Sequence, residues 1–108
     1  MNASPPLEIS IHDWDEVRRI LTEHLFGTTV WAFGSRVTGT AKPYSDLDLV
    51  IVTDQMLTLE DMATLKEAFD ESDLTVRVDI VDWASTDESF QRIIQQQYVV
   101  IQQAGTIT

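Results

Sequence analysis

The chain has 108 residues, 44% of them apolar, and carries 18 Asp and Glu against 7 Lys and Arg, a formal net charge of −11. That size and apolar fraction give one compact domain and exclude a disordered chain. The negative field disfavours a polynucleotide partner, but not a nucleoside triphosphate held through a divalent cation and a few local donors.

Residues 1–9, with Pro5 and Pro6, lack periodicity and read as a short leader outside the core. From Ser10 a helical pattern begins, with Ser10 and Asp13 placed as a capping box. Trp14, Val17, Ile20, Leu21 and Leu25 fall on one face, and the helix ends near Gly27. Thr28 to Phe33 is β-branched and aromatic and reads as a strand that Gly34 stops. The segment from there to Ser45 holds Gly39 and Pro43, and has room for either a short helix or a loop. A second strand runs from Asp46 to Val52, with Asp46, Asp48, Val50 and Val52 on one face and Leu47, Leu49 and Ile51 on the other. Leu59, Met62, Ala63, Leu65 and Phe69 mark a second long helix, and Thr75 to Val81 a third strand. Phe90, Ile93, Ile94 and Tyr98 give a shorter helix that trails into Val99 to Ile101 and a polar tail, 102–108. The expected architecture is α/β, a small mixed sheet of three to four strands flanked by helices, formed by residues 10–101. Without cysteine, and without an apolar run near the roughly 20 residues of a membrane span, the cytoplasm is the expected compartment.

Three acids interrupt strands that otherwise want apolar side chains: Asp46, Asp48 and Asp79. Asp46 and Asp48, two apart, project from the same strand face, and Asp79 joins them if its strand lies alongside. Two unit charges about 4 Å apart repel by roughly 4 kcal/mol at an effective dielectric near 20, so the cluster calls for protons or a cation. All-oxygen ligands select hard ions, Mg²⁺ or Mn²⁺ rather than Zn²⁺. Gly34 and Ser35, at the end of the first strand, suit a phosphate approached by backbone N–H groups and a hydroxyl. Arg36 adds a fork of donors for the same anion. Lys42, Arg77, His12 and His24 fit surface, counter-ion or capping roles, and Trp14 and Trp31 fit core positions; Trp83 is unassigned. Singly, Asp46 is an ordinary turn acid and Asp48 an ordinary edge-strand acid; it is their spacing with Gly34, Ser35 and a third strand acid that argues for a site.

Gly34-Ser35, ten intervening residues, then Asp46-Leu47-Asp48 resemble the signature of the DNA polymerase β nucleotidyltransferase superfamily. The runs Trp31 to Arg36 and Ser45 to Ile51 are most similar to its minimal nucleotidyltransferase (MNT) proteins, over roughly residues 10 to 101. The resemblance implies a small palm with an NTP, ATP above all, held at Gly34, Ser35 and Arg36. It also implies two Mg²⁺ ions on Asp46, Asp48 and Asp79, with Asp79 helping to accept the proton of the attacking hydroxyl. Asp82 competes for that third place but falls on the opposite strand face. Many MNT proteins are antitoxins that adenylylate a tyrosine of a HEPN-domain RNase toxin, and the resemblance implies such a partner here. This chain departs from its relatives in having Val37-Thr38-Gly39-Thr40 where an Ala-Arg-Gly stretch often stands. Two rival activities are neutralisation of the partner by occlusion and nucleotidyl transfer to a small molecule.

Overall fold

The computed structural model describes residues 5–104, so parts of the expected leader (1–4) and tail (105–108) lie outside the described residues. Helix α1 (Ile11–His24) is followed by β1 (Thr29–Phe33), the one-turn α2 (Ser35–Thr38), β2 (Leu47–Val52) and α3 (Leu59–Asp70). Strand β3 (Val78–Asp82), a 3₁₀ turn at Trp83–Ser85, α4 (Glu88–Gln96) and β4 (Val99–Gln102) complete the order. The four strands form one sheet, β3-β2-β1-β4. β1 runs antiparallel to β2 and to β4, and β2 parallel to β3, so the sheet is mixed as expected.

Period-2 alternation in β2 divides the interior. Leu47, Leu49 and Ile51 point to the face covered by α1 and α3, where they meet Val17, Ile20, Leu21, Leu65 and Phe69. Each such burial is worth about 1.5–3 kcal/mol, so this cluster is the chief source of stability. On the other face Val50 packs with Phe33 and with Ile94 of α4, bordered by Trp31, Trp83 and Phe90. Trp31 stacks on Tyr98, centroids 4.0 Å apart, and meets Trp83 edge-on at 5.5 Å, which gives Trp83 its place. This second cluster is smaller, and it reaches the acids only through Phe33, the register partner of Asp48.

Four features depart from the sequence expectation. Leu7, read as leader, is buried in the larger core, and the Glu8 N–H donates to the Arg36 carbonyl (2.7 Å). The capping box is half formed: Ser10 Oγ accepts from the Asp13 N–H (3.0 Å), but the Asp13 carboxylate turns away to take the Thr75 N–H (3.0 Å) and its hydroxyl. That capture gives Thr75 a side-chain partner in place of a ladder partner, and β3 starts three residues later than expected, at Val78. Val99 to Gln102 form an edge strand on β1, and the Gln102 amide donates to the Leu25 and Thr28 carbonyls (2.7 and 2.8 Å), which fixes a residue assigned to the tail.

Candidate active site

The parallel register of β2 and β3 sets Asp48 directly opposite Asp79, and the antiparallel register of β1 and β2 sets Asp48 opposite Phe33, the residue before Gly34. Asp46 lies one residue before β2, on the face that Asp48 shares. Asp46 and Asp79 are exposed and Asp48 is half-buried. The topology therefore brings together five of the six expected residues: the three acids, Gly34 and Ser35.

Gly34 is a structural necessity here. Its φ of +81° lies in the left-handed region, and a Cβ built on it would overlap the Asp48 carboxylate, with Cγ only 3.2 Å away. The backbone of the turn is thus in direct contact with the Asp48 carboxylate, leaving no space for a side chain at position 34.

Burial, followed by the charges of Asp79 and then Asp46, pushes the Asp48 carboxyl up to about 6. Near neutral pH the site therefore carries negative charge, and among the described residues no salt bridge is made to Asp46, Asp48 or Asp79. A hard cation with oxygen ligands fits that donor set. Among the described residues, however, no three His, Cys, Asp or Glu side chains are arranged to hold an ion, so the acids share a face and a field without forming a closed cage. The two flanking acids are exposed side chains.

Arg36 is the correction. Its side chain is 7% exposed, and four guanidinium N–H groups donate to backbone carbonyls: Nε to Ser45 (2.9 Å), Nη1 to Glu8 (2.7 Å), and Nη2 to Lys42 (3.2 Å) and Pro43 (3.3 Å). With its fork committed in this way, Arg36 ties the loop before Asp46 to the segment before α1 and does not present itself to an anion. The Lys42–Ser45 turn is closed further by Lys42 N–H to Ser45 Oγ (2.8 Å) and Ser45 N–H to the Lys42 carbonyl (3.0 Å). Asp82, the rejected competitor for Asp79, is buried on the opposite face and accepts from the Leu57 N–H (3.4 Å). A groove of about 580 Å³ opens beside Gly34, between Phe33, Thr38 and the α4 residues Phe90, Ile93 and Gln96, with Gln97 at its end. Sequence periodicity did not reveal it, because it arises only when α2 and α4 meet across the sheet.

A four-stranded mixed sheet that brings a Gly-Ser turn against paired strand aspartates defines a nucleotidyltransferase palm. The polymerase beta nucleotidyltransferase family model matches residues 15–105, and the chain belongs to that family. It is 50% identical, over 95% of its own length and 90% of the relative's, to a protein of Haemophilus influenzae named probable protein adenylyltransferase MntA. Its fold matches the crystal structure of a toxin–antitoxin with AMP-PNP at a TM-score of 0.70 and 21% identity, over 84% of this chain and 73% of that one. It also matches a structure of the tri-AMPylated Shewanella oneidensis HEPN toxin in complex with MNT antitoxin, at 0.62 and 18%, over 85% of this chain and 71% of that one.

Proposed function

We propose that the chain is a Mg²⁺-dependent adenylyltransferase acting as a cytoplasmic antitoxin, which moves AMP from ATP to a tyrosine hydroxyl of a HEPN-type RNase partner. The observation that carries this reading is the Asp48 carboxyl, raised by burial and by two neighbouring acids and held against the Gly34 backbone. A fold that keeps such a repulsive group has a use for it, since structural acids are normally paired or solvated. The 50% identity, over 95% of this chain, to a protein named as a probable protein adenylyltransferase, and the likeness in fold to an MNT–HEPN complex, support the acceptor class.

Gly34 N–H and the Ser35 hydroxyl would bind phosphate oxygens at the mouth of the site. Asp46, Asp48 and Asp79 would hold the metal, whose chemistry is to polarise the α-phosphate and make the acceptor hydroxyl more acidic. The acceptor oxygen bonds to the α-phosphorus, the bond to pyrophosphate breaks, and the hydroxyl proton passes to Asp79, the exposed acid opposite Asp48. The rigid loop tied by Arg36 fixes Asp46 for this work by restraining the chain immediately before it.

The test is incubation of the purified chain with α-labelled ATP, Mg²⁺ and a co-purified HEPN-type partner, beside an Asp46→Ala, Asp48→Ala variant. Label on the partner that vanishes with the variant supports the proposal. Silencing of the partner without transfer from any of the four NTPs assigns the protein to occlusion. Label on free hydroxylated compounds, with none on protein, assigns it to small-molecule modification.

A further inference from the structure

The groove beside Gly34 has a lining with a distinct chemical preference. Its floor and walls are apolar: Phe33 meets Phe90 edge-on with centroids 5.7 Å apart, and Ile93 stands 59% exposed on α4. Its rim is polar but uncharged, made of the Thr38 hydroxyl and the amides of Gln96 and Gln97. Among the described residues no cation lines it, which disfavours a triphosphate, and no carboxylate lines it, which disfavours a metal. One end abuts Gly34 and so the carboxylates, meaning that an occupant is continuous with whatever is held there.

Two flat uncharged groups meet at a protein-adenylylating site, the nucleobase and the acceptor phenol. The phenol's one polar atom is the attacking oxygen, which must sit at the acids, so its ring edge would leave the rim amides unused. A purine has apolar faces for the walls and donors and acceptors along its edges for the rim. The Gln97 Nε2 already donates weakly to the Val37 carbonyl (3.5 Å), linking the end of α4 to α2 and leaving Oε1 as an acceptor. A glutamine amide matches adenine's adjacent donor and acceptor, whereas the corresponding edge of guanine offers two acceptors.

Resting on the nucleotidyltransferase reading above, we propose that the α2–α4 groove is the nucleobase subsite, with Phe90 and Ile93 contacting the purine face and Gln96 and Gln97 selecting adenine. Loss of a matched amide pair typically costs about tenfold in discrimination or more. The experiment is calorimetric titration of the full chain, in Mg²⁺, with AMP-PNP, GMP-PNP and tripolyphosphate, the last carrying phosphates without a nucleoside. A Gln96→Ala, Gln97→Ala variant and an Ile93→Ser variant are compared with the parent; all three positions are exposed, so the fold is preserved. The expected result is an AMP-PNP affinity about tenfold lower in the double variant, a lost preference over GMP-PNP, a smaller loss for Ile93→Ser, and unchanged tripolyphosphate binding. Unchanged AMP-PNP affinity in both variants overturns the proposal, and does so in favour of an acceptor groove if transfer to the partner is slowed at the same time. A parent chain that binds neither AMP-PNP nor tripolyphosphate instead removes the nucleotidyltransferase reading on which the proposal rests.

Discussion

The two faces of the sheet are built on opposite principles although they share every strand. The α1–α3 face is closed: each inward position of β2 is a fully buried aliphatic, and the two buried acids near it, Asp13 and Asp82, have their carboxylates occupied by Thr75 and by the Leu57 N–H. The α4 face is closed only over Val50 and the aromatic residues, and beyond them it carries Asp46, Asp48 and Asp79, which form no salt bridge among the described residues. Arg36 and Asp48 make the contrast within one loop-and-strand unit. The arginine is buried with four of its donors satisfied, whereas the aspartate is half-buried with its charge opposed by its neighbours. Stability is concentrated on one face and unrelieved electrostatic energy on the other, the arrangement expected where a ligand supplies the missing charge.

The sharpest way to break this comparison is Asp48→Ala. If the open face does the chemistry, transfer to the partner falls by at least about 10³-fold, equivalent to roughly 4 kcal/mol of barrier, while the chain stays folded. Single-turnover kinetics with labelled ATP measures it, and retained transfer would remove Asp48 from the site. Next in size is Arg36→Met, which keeps the side-chain stem but leaves the Glu8, Lys42, Pro43 and Ser45 carbonyls without their donor. A loss of about 3 kcal/mol in urea denaturation is expected, with tripolyphosphate affinity changed less than twofold in the folded protein. The opposite pattern, intact stability with lost phosphate binding, would restore the anion-binding role read from the sequence.

How much of this was legible beforehand follows from what each residue's position depends on. Asp46, Asp48, Gly34 and Ser35 lie on or beside two adjacent strands, where period-2 alternation and a single turn fix their placement. Their grouping could therefore be read from spacing, and Asp79 followed once β3 lay beside β2. Arg36 was misread because a side chain long enough to reach a phosphate is also long enough to reach four carbonyls, and those carbonyls come from segments up to 28 residues away in sequence. Leu7 and Gln102 were assigned to flanking segments because single contacts at the chain's margins leave no periodic trace. The truncation of β3 depended on the pairing of Asp13 with Thr75, 62 positions apart, which spacing within either element does not encode.

A smaller effect is expected from Gly34→Ala, which tests whether the two motifs are in contact. A left-handed φ costs a non-glycine residue roughly 1–2 kcal/mol, and the added methyl must also displace the Asp48 carboxylate. Denaturant midpoints should report about 2 kcal/mol of destabilisation. Because the displaced group is the central acid, the transfer rate should fall further than unfolding explains, whereas Gly27→Ala, with its similar φ but nothing within 4 Å of the added Cβ, should lose stability alone. Equal effects on rate at the two glycines would mean that the Gly34–Asp48 contact has no functional consequence.

The smallest effect concerns stability in the absence of metal. The folded chain holds the Asp48 proton up to about pH 6, whereas an unfolded chain releases it near 3.9, so folding takes up a proton between those values. Raising the pH through that window therefore lowers stability, and above it the full cost of the charged carboxylate is present. The whole shift would amount to roughly 3 kcal/mol, which solvent screening of a half-buried group reduces to about 1 kcal/mol. Asp48→Asn, uncharged throughout, escapes this cost. In EDTA at pH 7.5 it should melt above the parent by about 4–8 °C, and near pH 4 the two should melt together. Mg²⁺ should raise the melting temperature of the parent and leave the variant nearly unchanged, which narrows the gap from the other side. A variant that melts below the parent at pH 7.5 in EDTA would mean that the charge of Asp48 is already compensated within the chain, and the two faces of the sheet would then not differ in the way described.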